Sequence, residues 1–440
     1  MSTIANEVRR AVAPSIPPHW IDRLLKPAVL TRLRGLEVGA LTIIDGTERH
    51  VFGRALPDEP ELRATVTVHD AAFWSALALQ GSVGAGATYV NGVWDADDLA
   101  RLVRVFVRNR DVLNGLERGL ARLSLPILRH LHARNANTRA GARRNIVAHY
   151  DLGNDFFAEF LDPTMTYSCG IFERGDETLE QAQRAKIDRL CRKLALQPEH
   201  HLLEIGTGWG AFAIHAAKHY GCKVTTTTIS PAQFDVARER IAREGLGSRI
   251  TLLLEDYRDL RGRFDRLVSV EMIEAVGADF HASFFRTLAE RLTDDGIAAI
   301  QAITIQDQEY ERARRSVDFI QRYIFPGSCI PSVTALLQAA TQASDMRLFH
   351  LEDFGSHYAT TLAAWNQRMW ERRDRILELG YDASLLRLFE FYFKYCEGGF
   401  AERVLGLSQL VFTRPRCRRD PILSTTVPRA IAAPGVLAGA

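Results

Sequence analysis

Along the chain, the spacing of apolar positions changes character several times. Residues 3–30 read as one or two short helices interrupted by Pro14, Pro17 and Pro18. From Arg34 the runs LEVGALTIID, HVFG and ELRATVTVHD follow, and in the last of them Ala64, Val66 and Val68 alternate with polar neighbours. That period of two is the mark of a half-buried strand, and Asp45-Gly46 is a hairpin-turn pair. The segment GSVGAGATYVNGVWDADDL closes this part. Its glycines are read as turns or close approaches, and Asp95 as the cap of the helix that follows. The pattern predicts a small α+β N-terminal domain over residues 1–110.

From about residue 180 strands and helices alternate. HHLLEIGTGWG runs from strand into a glycine turn, AFAIHAAKHYG is a helix, and CKVTTTTIS is the next strand. PAQFDVARERIAREG then gives a helix beginning at Pro231, and RITLLLEDY, FDRLVSVEMI and GIAAIQAITI give three more strands. This order predicts a doubly wound α/β fold with a mostly parallel sheet. The regularity breaks after residue 305. A strand at MRLFHLEDF, helical patterns at 357–379 and 383–401, and a last strand at GLSQLVFTRP complete the predicted elements. Residues 305–401 therefore read as a helical insertion, and 416–440, rich in Pro, Ala and Gly, as a flexible tail.

The two parts are joined by a basic stretch, 99–145, of which 111–145 reads as a helical linker. It holds Arg101, Arg104, Arg108 and Arg110, then Arg129, His130, His132, Arg134, Arg139, Arg143 and Arg144. Such a run fits a solvated face, or a surface meeting anionic phospholipid headgroups.

Composition narrows the function. At 440 residues the chain exceeds what one core usually supports. Its net charge of +2 argues against a nucleic-acid partner. Six scattered cysteines without a C-x-x-C pair argue against a disulfide framework or zinc site, so no metal is expected. Nothing approaches the ~20 apolar residues of a membrane span, and MSTIANEVRRAV lacks the apolar core of a secretory signal. A cytoplasmic protein is the expectation.

The candidate chemistry begins at Glu204-Ile-Gly206-Thr-Gly208-Trp209-Gly210, between a strand and a helix. Glycines there let a ligand approach the backbone, and the helix N-terminus offers free amides. The spacing is G-x-G-x-G, not the dinucleotide G-x-G-x-x-G. With an acid two positions earlier it is the usual signature of S-adenosylmethionine (SAM) sites, with Glu204 accepting from the ligand's ammonium. Gln233, just inside the next helix, is the candidate ribose ligand. At the end of the third strand, a carboxylate of Glu255 or Asp256 is a candidate for the adenine amino group and Tyr257 for stacking. Solvent-exposed turn residues are the other reading of the two acids.

The stretch HYDLGNDFFAEFLDPTMTYSCGIF, 149–172, closely resembles the cyclopropane fatty acid synthase family, which includes the mycolic acid cyclopropane synthases. LLEIGTGWG, the S-x-x-Q of Ser230–Gln233, SVEMIEAVG, YIFPGSCIPS, HYATTLAAW and YCEGGF follow in the right order. The resemblance covers roughly residues 145–415, so 146–415 is expected to be a SAM-dependent methyltransferase domain. It implies methylene transfer from SAM to the cis double bond of an unsaturated phospholipid acyl chain, by a cytoplasmic enzyme peripherally attached to the membrane's inner face. A homodimer is implied as well. By the same resemblance Tyr167 and Ser168 lie beside the sulfonium, and Thr228 and Gln233 at the ribose. Cys169, Glu274 and Tyr358 hold a bicarbonate ion, and Cys396 matches a cysteine assigned to the active site.

The chemistry suits these residues. An alkene is a weak nucleophile that must be held near the donor methyl, and the carbocation formed needs aromatic faces and dryness. Tyr167, Phe156, Phe157, Tyr358 and Trp365 are candidate walls, or for the phenylalanines plain core. A base then takes a proton from the new methyl to close the ring. Cys169 and Cys396 are read as packing or backbone contributors, because an apolar site raises a thiol's pKa. Phe319, Tyr323, Ile324, Phe325 and Ile330 are candidates for an acyl tunnel or for core, with Arg312, Arg314, Arg315 and Arg322 suited to headgroup phosphates. One departure stands out. Where many relatives carry a His on the fifth strand, this chain has Gln301, which donates hydrogen bonds but cannot titrate near neutral pH. A moved or weakened base would favour a methylene- or methyl-branched product. A methyltransferase of small soluble acceptors and a non-catalytic lipid carrier are more distant alternatives.

Overall fold

The computed structural model describes residues 19–118, 137–139, 141–142 and 152–423. Helix α1 (His19–Leu33) leads into β1 (Gly39–Asp45), β2 (Glu48–Arg54) and β3 (Arg63–Val68). Then come α2 (Ala72–Val90), β4 (Trp94–Ala96), α3 (Leu99–Arg108) and α4 (Arg110–Arg118). The four strands form one sheet in the order β2-β1-β3-β4. The hairpin predicted at Asp45-Gly46 is present, with Asp45 paired to Glu48.

Two expectations here are corrected. GSVGAGATYV is not a string of turns; it continues α2 beyond a kink at Gly81. Gly86 is a close approach, since a Cβ there would lie 2.2 Å from the Phe319 ring. The cap of α3 is Asp98, whose side chain accepts from the Arg101 amide. Asp95 instead pairs with Arg387 at 2.8 Å and His69 at 2.8 Å.

The larger unit opens with α5 (Asn154–Phe160) and α6 (Leu179–Lys193), the latter started by a Thr178–Gln181 capping box. Next come β5 (His201–Ile205), α7 (Ala211–Tyr220), β6 (Lys223–Thr227), α8 (Pro231–Arg243), β7 (Ile250–Leu253) and β8 (Phe264–Val270). Then α9 (His281–Arg291), β9 (Leu292–Ile305), α10 (Asp307–Ala313), α11 (Phe319–Tyr323) and α12 (Val333–Ala343) follow. The last elements are β10 (Arg347–Asp353), α13 (Gly355–Glu371), α14 (Arg373–Glu378), α15 (Ala383–Ala401) and β11 (Leu405–Thr413). The sheet order is β10-β11-β9-β8-β5-β6-β7. Strands β7, β6, β5, β8 and β9 run parallel, and β11 is antiparallel to both its neighbours. Chain order reverses at β5, between β6 and β8, and ligands of open α/β sheets bind outside the carboxyl ends of strands at such a switch point.

Helix α15 unites the two units. On one side Phe389 meets Phe156 at 4.8 Å and Phe393 meets Phe160 at 5.4 Å. On the other Phe391 meets Tyr89 at 5.6 Å and Trp94 at 6.4 Å. A single apolar core therefore runs from the N-terminal sheet into the larger unit. Each fully buried side chain of this size stabilises by about 1.5–3 kcal/mol. Arg104 and Arg108 of the basic stretch close the seam on Glu402 at 2.7 and 2.6 Å. Most of the remainder of that stretch, including Arg129, His130, His132, Arg134, Arg143 and Arg144, lies outside the described residues.

Candidate active site

The glycine turn adopts the backbone its sequence requires. Gly206, Gly208 and Gly210 have φ of 102°, 52° and 89°, in the left-handed region where side chains are strained. A Cβ on Gly208 would meet nothing within 4 Å, so the turn borders open space. Glu204 precedes it on β5, with only 3% of its surface exposed and one oxygen accepting from Thr226 Oγ1 at 2.6 Å. Burial pushes its carboxyl up to about 8, against the Thr226 hydrogen bond and the charge of Lys186. Among the described residues no cation forms a salt bridge with this carboxylate.

The other expected cofactor residues border the same cavity, of about 1010 Å³. Thr228 Oγ1 donates to Gln233 Oε1 at 2.9 Å, and Ser230 caps α8 ahead of Pro231. Trp209 is buried and donates from its indole to Asn154 at 2.7 Å. Ser168 accepts from the buried Lys186 ammonium at 2.5 Å, and Tyr167 lies 5.1 Å from Trp365. Asp256 is held by Arg258 at 2.6 Å, which keeps the carboxyl below its ordinary range despite burial. Tyr257 is set edge-on to Phe284. Glu255 is exposed, though it too borders the cavity.

Beyond the turn a second cluster lies at the carboxyl end of β8. Its centre is Glu271, a residue the sequence reading passed over in favour of Glu274 in the same motif. Glu271 Oε1 accepts from the Cys169 amide at 3.0 Å and Gln301 Nε2 at 2.8 Å. Its Oε2 accepts from the Tyr358 hydroxyl at 2.7 Å. Gln301 is in turn oriented: its oxygen accepts from Gln409 at 2.8 Å, and the Gln409 oxygen accepts from the Lys193 ammonium at 2.8 Å. An ammonium at one end and a carboxylate at the other fix both amides' directions. Burial raises the Glu271 carboxyl, opposed by the Lys186 charge and then by the three donors. Glu271 also has φ of 49°, unusual for a residue with a side chain, at a cost of about 1–3 kcal/mol.

Glu274 lies beside it. One oxygen accepts from the Ile303 amide and the other is buried with no hydrogen-bond partner among the described residues. Burial, and then the neighbouring charge of Glu271, push this carboxyl up to about 8. Cys169 contributes its amide; its thiol points to Gly170 O and Thr361, and burial holds it well above the ordinary thiol range. Cys396 lines the cavity, and burial raises its thiol too.

The donors expected around a bicarbonate ion are engaged within the protein. The Cys169 amide, Tyr358 and Gln301 all give their hydrogen bonds to Glu271, and Ile303 gives its amide to Glu274. The donor set is thus already matched to the protein's own carboxylates and does not fit a separate carbonate anion.

The apolar arm of the cavity also differs from expectation. Phe325 and Ile330 line it, but Phe319 and Ile324 are buried core. Tyr167 and Tyr358 are wall residues, whereas Phe156, Phe157 and Trp365 are fully buried outside its lining. Much of the far wall comes from the N-terminal unit, through Leu77, Val83, Leu102, Val103 and Phe106. The arginines proposed for headgroups are paired or stacked: Arg314 and Arg315 with Glu311, Arg312 with Glu309, and Arg322 over Tyr323. Among the described residues no cluster of metal ligands exists, and no helix is long and apolar enough to cross a membrane.

A seven-stranded sheet of this order, with a glycine turn and acid at its switch point, defines the SAM-dependent methyltransferases. The profile of the family described as mycolic acid cyclopropane synthetase matches residues 137–410. The tuberculostearic acid methyltransferase of Mycobacterium tuberculosis is 39% identical over 77% of this chain and 80% of its own length. The cyclopropane-fatty-acyl-phospholipid synthase of Escherichia coli is 37% identical over 80% of this chain and 88% of its own. A solved mycolic acid cyclopropane synthase, complexed with S-adenosylhomocysteine and CTAB, superposes with a TM-score of 0.57 at 31% identity. It covers 62% of this chain and 98% of that one. The chain belongs to the mycolic acid cyclopropane synthetase family.

Proposed function

We propose that this enzyme transfers a methylene group from SAM to the cis double bond of an unsaturated acyl chain in a phospholipid, giving a cyclopropane fatty acid. The observation that carries the reading is continuity. One cavity joins the glycine turn and Glu204 to the Glu271–Tyr358 cluster and then to an apolar arm.

Bound SAM supplies an electrophilic methyl on a positively charged sulfur. Glu204 takes the ammonium of the cofactor, the glycines pass its amino-acid and ribose portions, and Thr228 and Gln233 hold the ribose hydroxyls. Tyr257 bounds the adenine, with Asp256 fixed by Arg258 beside it. Tyr167 and Ser168 flank the sulfonium. The apolar and aromatic wall from α2, α3 and α15 holds the chain and excludes water, while the faces of Tyr167 and Tyr358 border the developing positive charge. Gln301 and Tyr358 position the carboxylate that meets it.

Product analysis tests this. The enzyme is incubated with methyl-labelled SAM and vesicles of oleoyl phospholipid, and fatty-acid methyl esters are examined by mass spectrometry. A saturated product heavier by one methylene supports the reading; label appearing only on soluble acceptors removes it. A branched unsaturated product is the second reading, favoured by Gln301 in place of the expected His, and alkene derivatisation separates the two. Peripheral attachment to the membrane is part of the proposal, because the acyl chain must leave a bilayer, and flotation with vesicles checks it.

A further inference from the structure

We infer that Glu271 is the base of this reaction, standing where the resemblance puts a bicarbonate ion. The inference rests on methylene transfer being the reaction. Three observations support it. Of the groups expected at the anion, the Cys169 amide, the Tyr358 hydroxyl and the Gln301 amide donate to the Glu271 carboxylate within 3.0 Å, and Glu274 accepts from the Ile303 amide. Glu271 borders the cavity that also holds Glu204 and Tyr167. Its backbone sits at φ 49°, where glycine is favoured, so a side chain is kept there against a conformational cost.

The electron balance is closed by the protein alone. After methyl transfer the substrate carries a carbocation next to the carbon bearing the new methyl. A Glu271 oxygen takes a proton from that methyl. The electron pair of the broken C–H bond forms the C–C bond that closes the ring. Glu271 is left as a neutral acid and returns its proton to solvent after product leaves. Tyr358 and Gln301 are positioning residues. Glu271 accepts from three donors, whereas Glu274 accepts from one amide and has an unpartnered oxygen, so the negative charge of the carboxyl pair is assigned to Glu271.

The test compares wild type, Glu271→Gln and Glu271→Gly in carbonate-free buffer and in buffer with bicarbonate, formate or acetate added. Wild-type turnover on oleoyl vesicles is expected to change less than about twofold with bicarbonate. Glu271→Gln is expected to lose about 100-fold or more in kcat, the usual range for a general base. Its affinity for SAM, read by calorimetry, stays within about threefold because Glu204 is untouched. Glu271→Gly relieves the backbone and opens room among the same donors. It is expected to be inactive alone and to recover turnover with added bicarbonate or formate. Line broadening of 13C-bicarbonate is then expected with Glu271→Gly and not with wild type, a readout independent of turnover. Wild type that stops without bicarbonate, or Glu271→Gln at full speed, overturns the inference while leaving methylene transfer intact. Wild type that leaves oleoyl lipid unmodified under every condition overturns both.

Discussion

The two ends of the cavity are built differently. The cofactor end is local: Glu204, the three glycines and Trp209 lie within seven consecutive residues, and Thr228 and Gln233 sit on the next strand–helix turn. The proton-accepting end is assembled from Cys169, Glu271, Gln301 and Tyr358, which come from four separate segments, with Gln409 and Lys193 behind them. A local site is limited by backbone conformation, an assembled one by the orientation of buried amides and hydroxyls. Substitutions at the first should therefore change cofactor affinity, and at the second kcat and its pH dependence.

The largest effect in this set is expected at Glu204. Glu204→Gln removes the charge that meets the cofactor's ammonium. A buried charge-assisted bond worth about 1.5–3 kcal/mol corresponds to SAM binding weakened by about 10- to 150-fold in calorimetry. Unchanged affinity would remove Glu204 from the cofactor site. Linkage adds a second signature. Its folded carboxyl is raised to about 8 from an ordinary 4.5, so the stability it contributes is complete below pH 4.5 and is lost as pH rises through 8. The cofactor-free Tm of the Gln variant should fall less steeply across that window than wild type's.

Tyr358→Phe comes next and should leave SAM affinity within about twofold. It removes a donor to charged Glu271, which raises that carboxyl further. A base must be deprotonated, so the rising acid limb of kcat moves to higher pH, and kcat near neutrality falls by about tenfold. A lower kcat with an unmoved limb would mean that Tyr358 only packs against Phe400, on which it is stacked at 4.5 Å.

Why one end was legible and the other only half so follows from the same contrast. β5, its glycine turn and α7 are written in consecutive residues, and the alternation of runs gave every strand of the large sheet. The resemblance points to Glu274, and a motif shows which residues are present, not which carboxylate the donors face. An acid directly after β8, beside the switch-point strand, is the available signal. Lys186, Gln409 and Lys193 had none, since their roles depend on pairings up to 216 positions apart. In the N-terminal unit, GSVGAGATYV looked like loop because glycine is a poor helix former. Tertiary packing overrides that propensity where Gly86 admits Phe319. Residues 119–136 and 143–151, the heart of the basic stretch and the start of the most telling motif, lie outside the described residues.

Gln409→Leu tests how far the assembled end extends. Gln409 is fully buried and lies two hydrogen bonds from the Glu271 carboxylate. Leucine leaves the Gln301 oxygen without its donor, and the amide can then turn that oxygen toward Glu271. A fall of about three- to tenfold in kcat, with unchanged KM for SAM, is expected. The lost pairing should also cost about 1–3 kcal/mol in unfolding free energy by denaturant titration. Loss of stability without loss of kcat would confine Gln409 to the core.

The smallest effect is expected at Cys169, although it stands beside the reacting groups. What Glu271 takes from this residue is the amide, which every substitution but proline retains. The thiol is fully buried, contacts Thr361 at 3.7 Å, and is held in its neutral form by burial and by the nearby charge of Glu271. A thiol so placed is a poor nucleophile and a weak acid. Cys169→Ala should therefore keep kcat within about threefold of wild type, leave the pH profile in place, and lower stability by about 1 kcal/mol for the small cavity created. A loss of 100-fold with SAM affinity intact would show that the sulfur itself takes part, and would move the chemistry from the carboxylate to the thiol beside it.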